Sequence, residues 1–307
     1  MSLHQSVNEY LSLRHDLGFK LRNSGHLLPQ FASYMDQAGA ATVTIDLALA
    51  WARQLGRSEG WLRTRLSTVR GFACYLNGID PSHQLLPQTL LPGSHQRVAP
   101  YIYTETEVSR LMNAAGRLAP DLRAATYTTL IGLLGATGLR SGEAIGLDRG
   151  DIDWDEGVLT IERTKFNKSR ELVLHPTTVA ALRRYDDLRR TCWPRPQTPA
   201  FFVSGWGNRL DRGTFNRTFR ELVQRAGLAL EPGMRRPRPH DLRHTFAVNT
   251  LIDWYRRGVD INSKMHLLST YLGHLNPSNT YWYISCTPAL LALATERLEA
   301  AQAGVAS

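Results

Sequence analysis

Cysteine is scarce: Cys74, Cys192 and Cys286 are the three in 307 residues, widely separated and free of any C-x-x-C spacing. An odd, scattered set excludes a disulfide framework and a thiolate zinc site, and reads as free thiols. No apolar run approaches the ~18–20 residues that cross a bilayer. The opening stretch, MSLHQSVNEYLSLRHDLGFK, lacks the apolar core of a signal peptide, so the expected compartment is the cytoplasm. No G-x-x-x-x-G-K-[ST] loop is present, which leaves an ATPase reading without support. Lysine is nearly missing as well. Only a handful of the 36 basic residues are lysine and the rest are arginine.

That imbalance points to a partner. The formal charge is +9, carried by the side chain whose planar guanidinium pairs best with phosphate. With 43% hydrophobic and 21% charged residues the chain is globular, and its length allows two domains, each with its own core. A basic, arginine-rich protein of this kind is expected to meet a polyanion, nucleic acid first.

The pattern from residue 2 to about 77 is helical. SVNEYLSLRHDLG, GHLLPQFASYMDQAG and TIDLALAWARQLG each close on glycine, a helix-stop signal. SEGWLRTRLSTVRGFACYLNG follows, with Leu62, Leu66, Val69, Phe72, Ala73 and Leu76 on one face and Arg63, Arg65 and Arg70 on the other. The basic face reads equally as a solvated surface or as a DNA-facing stripe. IDPSHQLLPQTLLPGSHQRVAP then breaks all periodicity and reads as an extended linker. Helices resume at Thr104, where Thr104 and Glu107 have capping-box spacing. DLRAATYTTLIGLLGATG reads as a buried helix, and GVLTIERTKFNKSRELVLHP as a β-hairpin with a basic turn. The expected fold is mainly α with a small antiparallel β-sheet (α+β). Its expected parts are a helical domain over 1–79, a linker over 80–103 and a second domain over 104–307.

Four islands carry polar residues that packing does not explain. ATGLRSGEAIGL places Arg140 after an apolar helix, with Glu143 as a capping partner that would lock the guanidinium. TKFNKSR places Lys165 and Lys168 in the hairpin turn. RPHDLRHTFAVNTL sets His240 and Arg243 three apart on one helix face near its N-terminus, where the dipole also favours an anion. His240 and His244 have the spacing of two zinc ligands, but H-E-x-x-H is absent and no third ligand cluster is visible. HLNPSNTYWYIS supplies His274, Tyr281 and Tyr283.

In this order, ATGLRSGE, a hairpin lysine, HDLRHTFA, YLGH and a tyrosine nine residues after the last histidine resemble the tyrosine recombinases, or phage integrases, including the Xer-type proteins. The match runs from about Thr104 to the end, and the helical N-terminal module resembles the family's core-binding domain. The resemblance implies a catalytic set: Arg140 and Arg243 gripping the scissile phosphate, His240 and His274 beside it, Lys165 as the hairpin lysine and Tyr283 as nucleophile. Lys168, with Arg63, Arg65 and Arg70, is a candidate DNA contact. The activity implied is site-specific cleavage and rejoining of DNA through a 3′-phosphotyrosyl link, for a mobile element or for chromosome or plasmid resolution. The partners implied are double-stranded DNA with inverted-repeat sites, a homotetramer on two sites joined by exchange of the C-terminal helix, and an accessory recombinase. Two other readings stay open: a monomeric relaxer of the type IB topoisomerase kind, and a DNA-binding accessory protein without catalysis.

The chemistry suits these residue types. A free tyrosine has a pKa near 10, so roughly one in a thousand is ionised at pH 7. Correcting that deficit is worth about 4 kcal/mol, within reach of a histidine base and two nearby guanidiniums. Charge on the non-bridging oxygens is met by arginine and histidine N–H groups instead of metal ions, so no cofactor is implied. A lysine on a hairpin suits protonation of the departing 5′-oxygen. If Tyr281 packs inward, Tyr283 points the other way, because residues two apart on a helix lie about 200° apart.

Overall fold

The computed structural model describes residues 2–19, 21–54, 58–91, 99–162, 169–228, 235–274, 276–285 and 287–305, the side chains of 22, 298 and 300–305 aside. The chain divides into two compact units, Met1–Gln96 and Arg97–Ser307.

The first unit holds α1 (Leu3–Asp16), α2 (Arg22–Gln37), α3 (Ile45–Arg53) and α4 (Glu59–Asn77). Ser2 caps α1 and Thr44 caps α3, each hydroxyl accepting an orphan backbone N–H. The core gathers Leu28, Phe31, Met35 and Trp51 with Leu66, Val69, Phe72 and Leu76, which are the expected apolar stripe of α4. The opposite face of α4 departs from a continuous outward stripe. Arg65 is only 2% exposed, its guanidinium lying 3.7 Å over the Trp51 ring, so stem and head group both pack inside. Arg70 donates to the carbonyls of Leu86 and Pro87, both at 2.9 Å, and Arg63 pairs with Glu59 at 2.7 Å. Leu86 is buried in this core and His83 Nδ1 accepts the Val43 N–H at 3.0 Å, so the segment after α4 folds back on the helices.

The second unit begins with α5 (Glu105–Gly116), whose capping box joins Thr104 and Glu107 reciprocally. Next come α6 (Asp121–Thr137) and α7 (Ser141–Gly146), then strands β1 (Ile152–Asp153), β2 (Val158–Ile161) and β3 (Arg170–Val173). The antiparallel order is β1-β2-β3, with Val158 opposite Val173 and Ile161 opposite Arg170. The hairpin seen in the sequence is thus extended by β1, whose two residues are too short to show alternation. The helices α8 (Pro176–Cys192), α9 (Arg212–Arg225), α10 (Pro239–Arg256), α11 (Ile261–Leu272) and α12 (Ser278–Tyr281) follow. A 3₁₀ turn, Trp282–Ser285, leads to α13 (Pro288–Val305). The apolar helix α6 is buried around most of its circumference and packs against α5, α8 and α10. Around it two cores form. One joins α5, α6, the sheet, α8 and α9; the other joins Val248 and Leu251 of α10 with Leu268 and Leu272 of α11, Tyr283 and Leu290 of α13. Among the described residues, no helix is long and apolar enough to cross a membrane.

Candidate active site

Two left-handed glycines shape the site. Gly138 ends α6 at φ +62, where a Cβ would meet Phe246 at 2.7 Å and Leu272 at 3.0 Å. Gly273 ends α11 at φ +68, where a Cβ would lie 2.7 Å from an Arg170 nitrogen. Only glycine takes both the dihedral and the crowding. These helix ends leave carbonyls without helical partners, and arginines take them up. Arg243 donates to the carbonyls of Gly138 at 2.9 Å and Leu272 at 2.6 Å. Arg140 donates to Gly273 at 2.8 Å, and Arg170 to Tyr271 at 3.0 Å.

Glu143 sits between two of these cations. Its carboxylate pairs with Arg140 at 2.6 Å and Arg170 at 2.7 Å. Burial alone would raise the Glu143 carboxyl, but Arg170 and then Arg140 outweigh it and hold it below its ordinary range. The pairing of Arg140 with Glu143 expected from ATGLRSGE is present. Arg140 keeps 38% of its side chain exposed, whereas Arg243 is 1% exposed. Burial, with Arg140 beside it, lowers Arg243 to about 10, which still leaves it charged at neutral pH. Each Arg243 terminal nitrogen donates one N–H to a carbonyl, and a guanidinium has five N–H groups.

The histidines gather beside this cluster. His240 and His244, one turn apart on α10, meet edge to face with ring centroids 4.8 Å apart. His274 is held by its Nδ1 against Thr280 Oγ1 at 2.7 Å, and its ring stacks along Tyr283 at 6.2 Å. All three are pushed down. His240 is exposed as a residue, yet desolvation by the protein around its ring, then His244 and Arg243, bring it to about 4. Desolvation with Arg238 and Arg243 brings His244 to about 4, and desolvation with Arg243 and Arg140 brings His274 to about 3. At pH 7 these imidazoles are neutral in a positive field, a setting that attracts an anion and leaves ring nitrogens able to accept protons.

The two tyrosines reverse the expected facing. Tyr281 is 46% exposed, and Tyr283 is 2% exposed and packed in the α10–α11–α13 core. The chain tightens from α12 into the 3₁₀ turn between them, and Tyr283 fills the space beside α10. Its hydroxyl lies 3.0 Å from His244 Nδ1. The fold therefore brings Arg140, His240, Arg243, His274 and Tyr283 into one region of the second unit. Lys165 and Lys168 lie outside the described residues. Arg63, Arg65 and Arg70 belong to the first unit. Sequence reasoning missed His244, weighed only as a zinc partner of His240, although its place one turn along α10 was a usable signal. It missed Arg170 altogether, since one arginine among so many carries no mark.

Known proteins share this arrangement of sequence. The profile of the phage integrase family matches residues 102–289. A Sinorhizobium fredii protein described as the integrase/recombinase y4rB is 42% identical, the alignment covering 96% of each chain. Tyrosine recombinase XerD of Listeria monocytogenes is 30% identical over 85% of each chain. Among solved structures, the Tn1549 transposon integrase in complex with transposon right end DNA superposes with a TM-score of 0.66 at 17% identity, covering 97% of this chain and 99% of that one. XerH bound to palindromic difH substrate, in a post-cleavage complex, gives 0.64 at 21% identity, covering 89% of this chain and 78% of that one. At such identities the structural likeness speaks to the fold, and the sequence matches speak to descent. On the sequence matches the chain belongs to the phage integrase family of tyrosine recombinases.

Proposed function

We propose that this recombinase cuts and rejoins double-stranded DNA with Tyr283 as the nucleophile. Its hydroxyl attacks the scissile phosphorus, forming a 3′-phosphotyrosyl bond while the bond to the 5′-oxygen breaks. Arg140 and Arg243 carry the charge of the non-bridging oxygens, His240 and His274 flank the phosphate, and Lys165 protonates the departing oxygen. The phosphotyrosine keeps the bond energy, so rejoining to another strand needs no ATP. The observation that carries this reading is the burial of Tyr283 among His244, His274 and Arg243 while Tyr281 faces solvent.

The experiment is a nicked DNA substrate that traps the covalent complex, followed by digestion and sequencing of the modified peptide. The expected adduct is on Tyr283, absent in Tyr283→Phe and retained in Tyr281→Phe. An adduct on Tyr281 would overturn the assignment. Absence of any adduct in the wild type would favour a non-catalytic DNA-binding accessory protein. Relaxation of supercoiled plasmid by monomers without recombination would favour the relaxer.

The assembly proposed is a homotetramer on two inverted-repeat sites, with α13 passing from one protomer to the next and an accessory recombinase as a further partner. In the single chain α13 packs on α10, with Leu290 fully buried and Leu291 48% exposed. Exchange then replaces one set of apolar contacts by an equivalent set, at little net cost. The role proposed is movement of a mobile element or resolution of chromosomes or plasmids, in the cytoplasm. The transposon integrase among the structural neighbours supports the first of these.

A further inference from the structure

We propose that His244 takes the proton from the Tyr283 hydroxyl during strand cleavage, making it a further catalytic residue; the inference rests on the reading of Tyr283 as nucleophile. His244 Nδ1 stands 3.0 Å from the phenol oxygen, within proton-transfer reach. The ring is held on three sides: by His240 at 4.8 Å, by Trp282 at 5.8 Å and by Tyr283 itself at 5.5 Å between centroids. It stands on α10 next to Arg243, so the helix that places a phosphate-facing arginine also places this imidazole. His274, by contrast, has its Nδ1 engaged by Thr280.

The charge around His244 agrees with the role. Arg243 and His240 come from its own helix, Arg235 and Arg238 from the segment before α10, and Tyr283 from the 3₁₀ turn. Asp241, on the same helix, is spent on Arg238 at 3.1 Å. Burial and the arginines hold the imidazole at about 4, so at pH 7 it is neutral. With its proton on Nε2, it accepts the Tyr283 hydrogen at Nδ1. The positive charge that keeps the ring neutral also stabilises a phenolate beside it. An entering phosphodiester brings the negative charge that lets the ring become an imidazolium.

The step balances. The phenol proton moves to His244 Nδ1, the bond from the Tyr283 oxygen to phosphorus forms, and the bond from phosphorus to the 5′-oxygen breaks. The leaving oxygen takes its proton from the separate donor assigned to Lys165. In rejoining, the 5′-hydroxyl gives its proton back to the Lys165 amine and attacks phosphorus, the bond from phosphorus to the Tyr283 oxygen breaks, and His244 returns its proton to that oxygen.

Single-turnover cleavage of the nicked substrate by His244→Asn and His244→Ala tests this. Asparagine keeps a neutral acceptor near the Nδ1 position but cannot take a proton at neutral pH, and it guards against a misfolded alanine variant. Both variants should bind DNA as the wild type does and cleave about 10²–10⁴-fold more slowly. Added imidazole should restore His244→Ala in proportion to its neutral fraction. The acid limb of the wild-type pH–rate profile should vanish in His244→Asn. Wild-type cleavage by His244→Asn would overturn the inference, since the contact would then only hold the ring. Faster cleavage by either variant would overturn it too, since the contact would then restrain the nucleophile. Adduct mapping in the wild type keeps the two readings apart. An adduct on Tyr281 removes the Tyr283 assignment itself, whereas an adduct on Tyr283 with normal His244→Asn cleavage removes only the role of His244.

Discussion

Arg170, the first residue of β3, grips Glu143 of α7 with two nitrogens, at 2.7 and 3.3 Å, while its third donates to the Tyr271 carbonyl at the end of α11. One guanidinium thus ties three elements together: strand β3, the helix that begins after Arg140 and the helix that ends before His274. Both partners are about one-tenth exposed.

Arg170→Ala leaves Glu143 paired with Arg140 alone. Because one cation stays, the loss should fall below the ~3–5 kcal/mol of a buried charge left without any partner, read as a shift of the urea midpoint of the second unit. Misplacement of Arg140 should slow cleavage by about 10²-fold with little change in DNA affinity. Arg170→Lys should recover part of this, since a lysine supplies charge without the fork. The sign with pH follows from the depressed Glu143 carboxyl: its stabilisation is present above the unfolded carboxylate pKa and lost as pH falls through the lower folded value. In Arg170→Ala the folded carboxyl lies nearer its unfolded value, so less stability should be lost on acidification and the loss should end at higher pH. An unchanged acid unfolding curve would count against the clamp.

Gly273→Ala should be harmful beyond its size. A left-handed alanine costs roughly 1–2 kcal/mol, and its Cβ would lie 2.7 Å from the Arg170 guanidinium. Thermal unfolding should register the strain, and trapped-complex formation should register the displaced Arg170. Gly258→Ala, also left-handed but with nothing within 4 Å of the added Cβ, is the control for strain alone.

The three depressed histidines make stability depend on pH above the carboxylate range. Their folded values are about 4, 4 and 3 for His240, His244 and His274, so between those values and ~6.5 the unfolded chain binds more protons. Stability should be complete above about pH 6.5 and fall as pH drops through the folded values. Denaturant midpoints across this window check it, and His274→Gln should flatten the slope. Bound DNA should raise the histidine pKa values, visible as shifted ring-proton titrations by NMR.

Arg140→Ala should separate binding from chemistry. One phosphate contact among ~6–10 changes affinity little, whereas loss of a preorganised donor costs about 10²–10³ in rate. Wild-type binding itself should weaken by roughly 10³–10⁵ between 50 and 200 mM salt. Equal losses of binding and cleavage in Arg140→Ala would make it an ordinary backbone contact.

Leu290 and Leu291 differ in kind. Leu290→Ala opens a cavity in the α10–α11–α13 core and should cost about 2–5 kcal/mol, whereas Leu291 is half exposed and its alanine variant should unfold as the wild type does. If α13 passes between protomers, Leu290→Ala should also weaken tetramer formation on paired sites, measured by gel mobility.

Much of this molecule was legible in the sequence because its signals are local. Helix α4 shows its buried stripe in Leu66, Val69, Phe72 and Leu76, and Thr104 with Glu107 announces a capping box. The hairpin shows in the alternation of β2 and β3, and the spacing of ATGLR, HDLRH, YLGH and Tyr283 marks the family. What the sequence by itself did not determine is which distant groups meet. Arg65 lies inside because Trp51 offers its ring face, a fact no periodicity contains. Tyr283 faces inward and Tyr281 outward because the 3₁₀ turn and α13 close over α10, not because of any helical angle between the two. Arg243 finds the Gly138 carbonyl 105 residues away, and Arg140 finds that of Gly273 across 133. Sequence pattern records the periodicity of single elements. The carbonyls that arginines satisfy, and the histidine that meets the nucleophile, depend on how helix ends converge, and only the tertiary structure decides that.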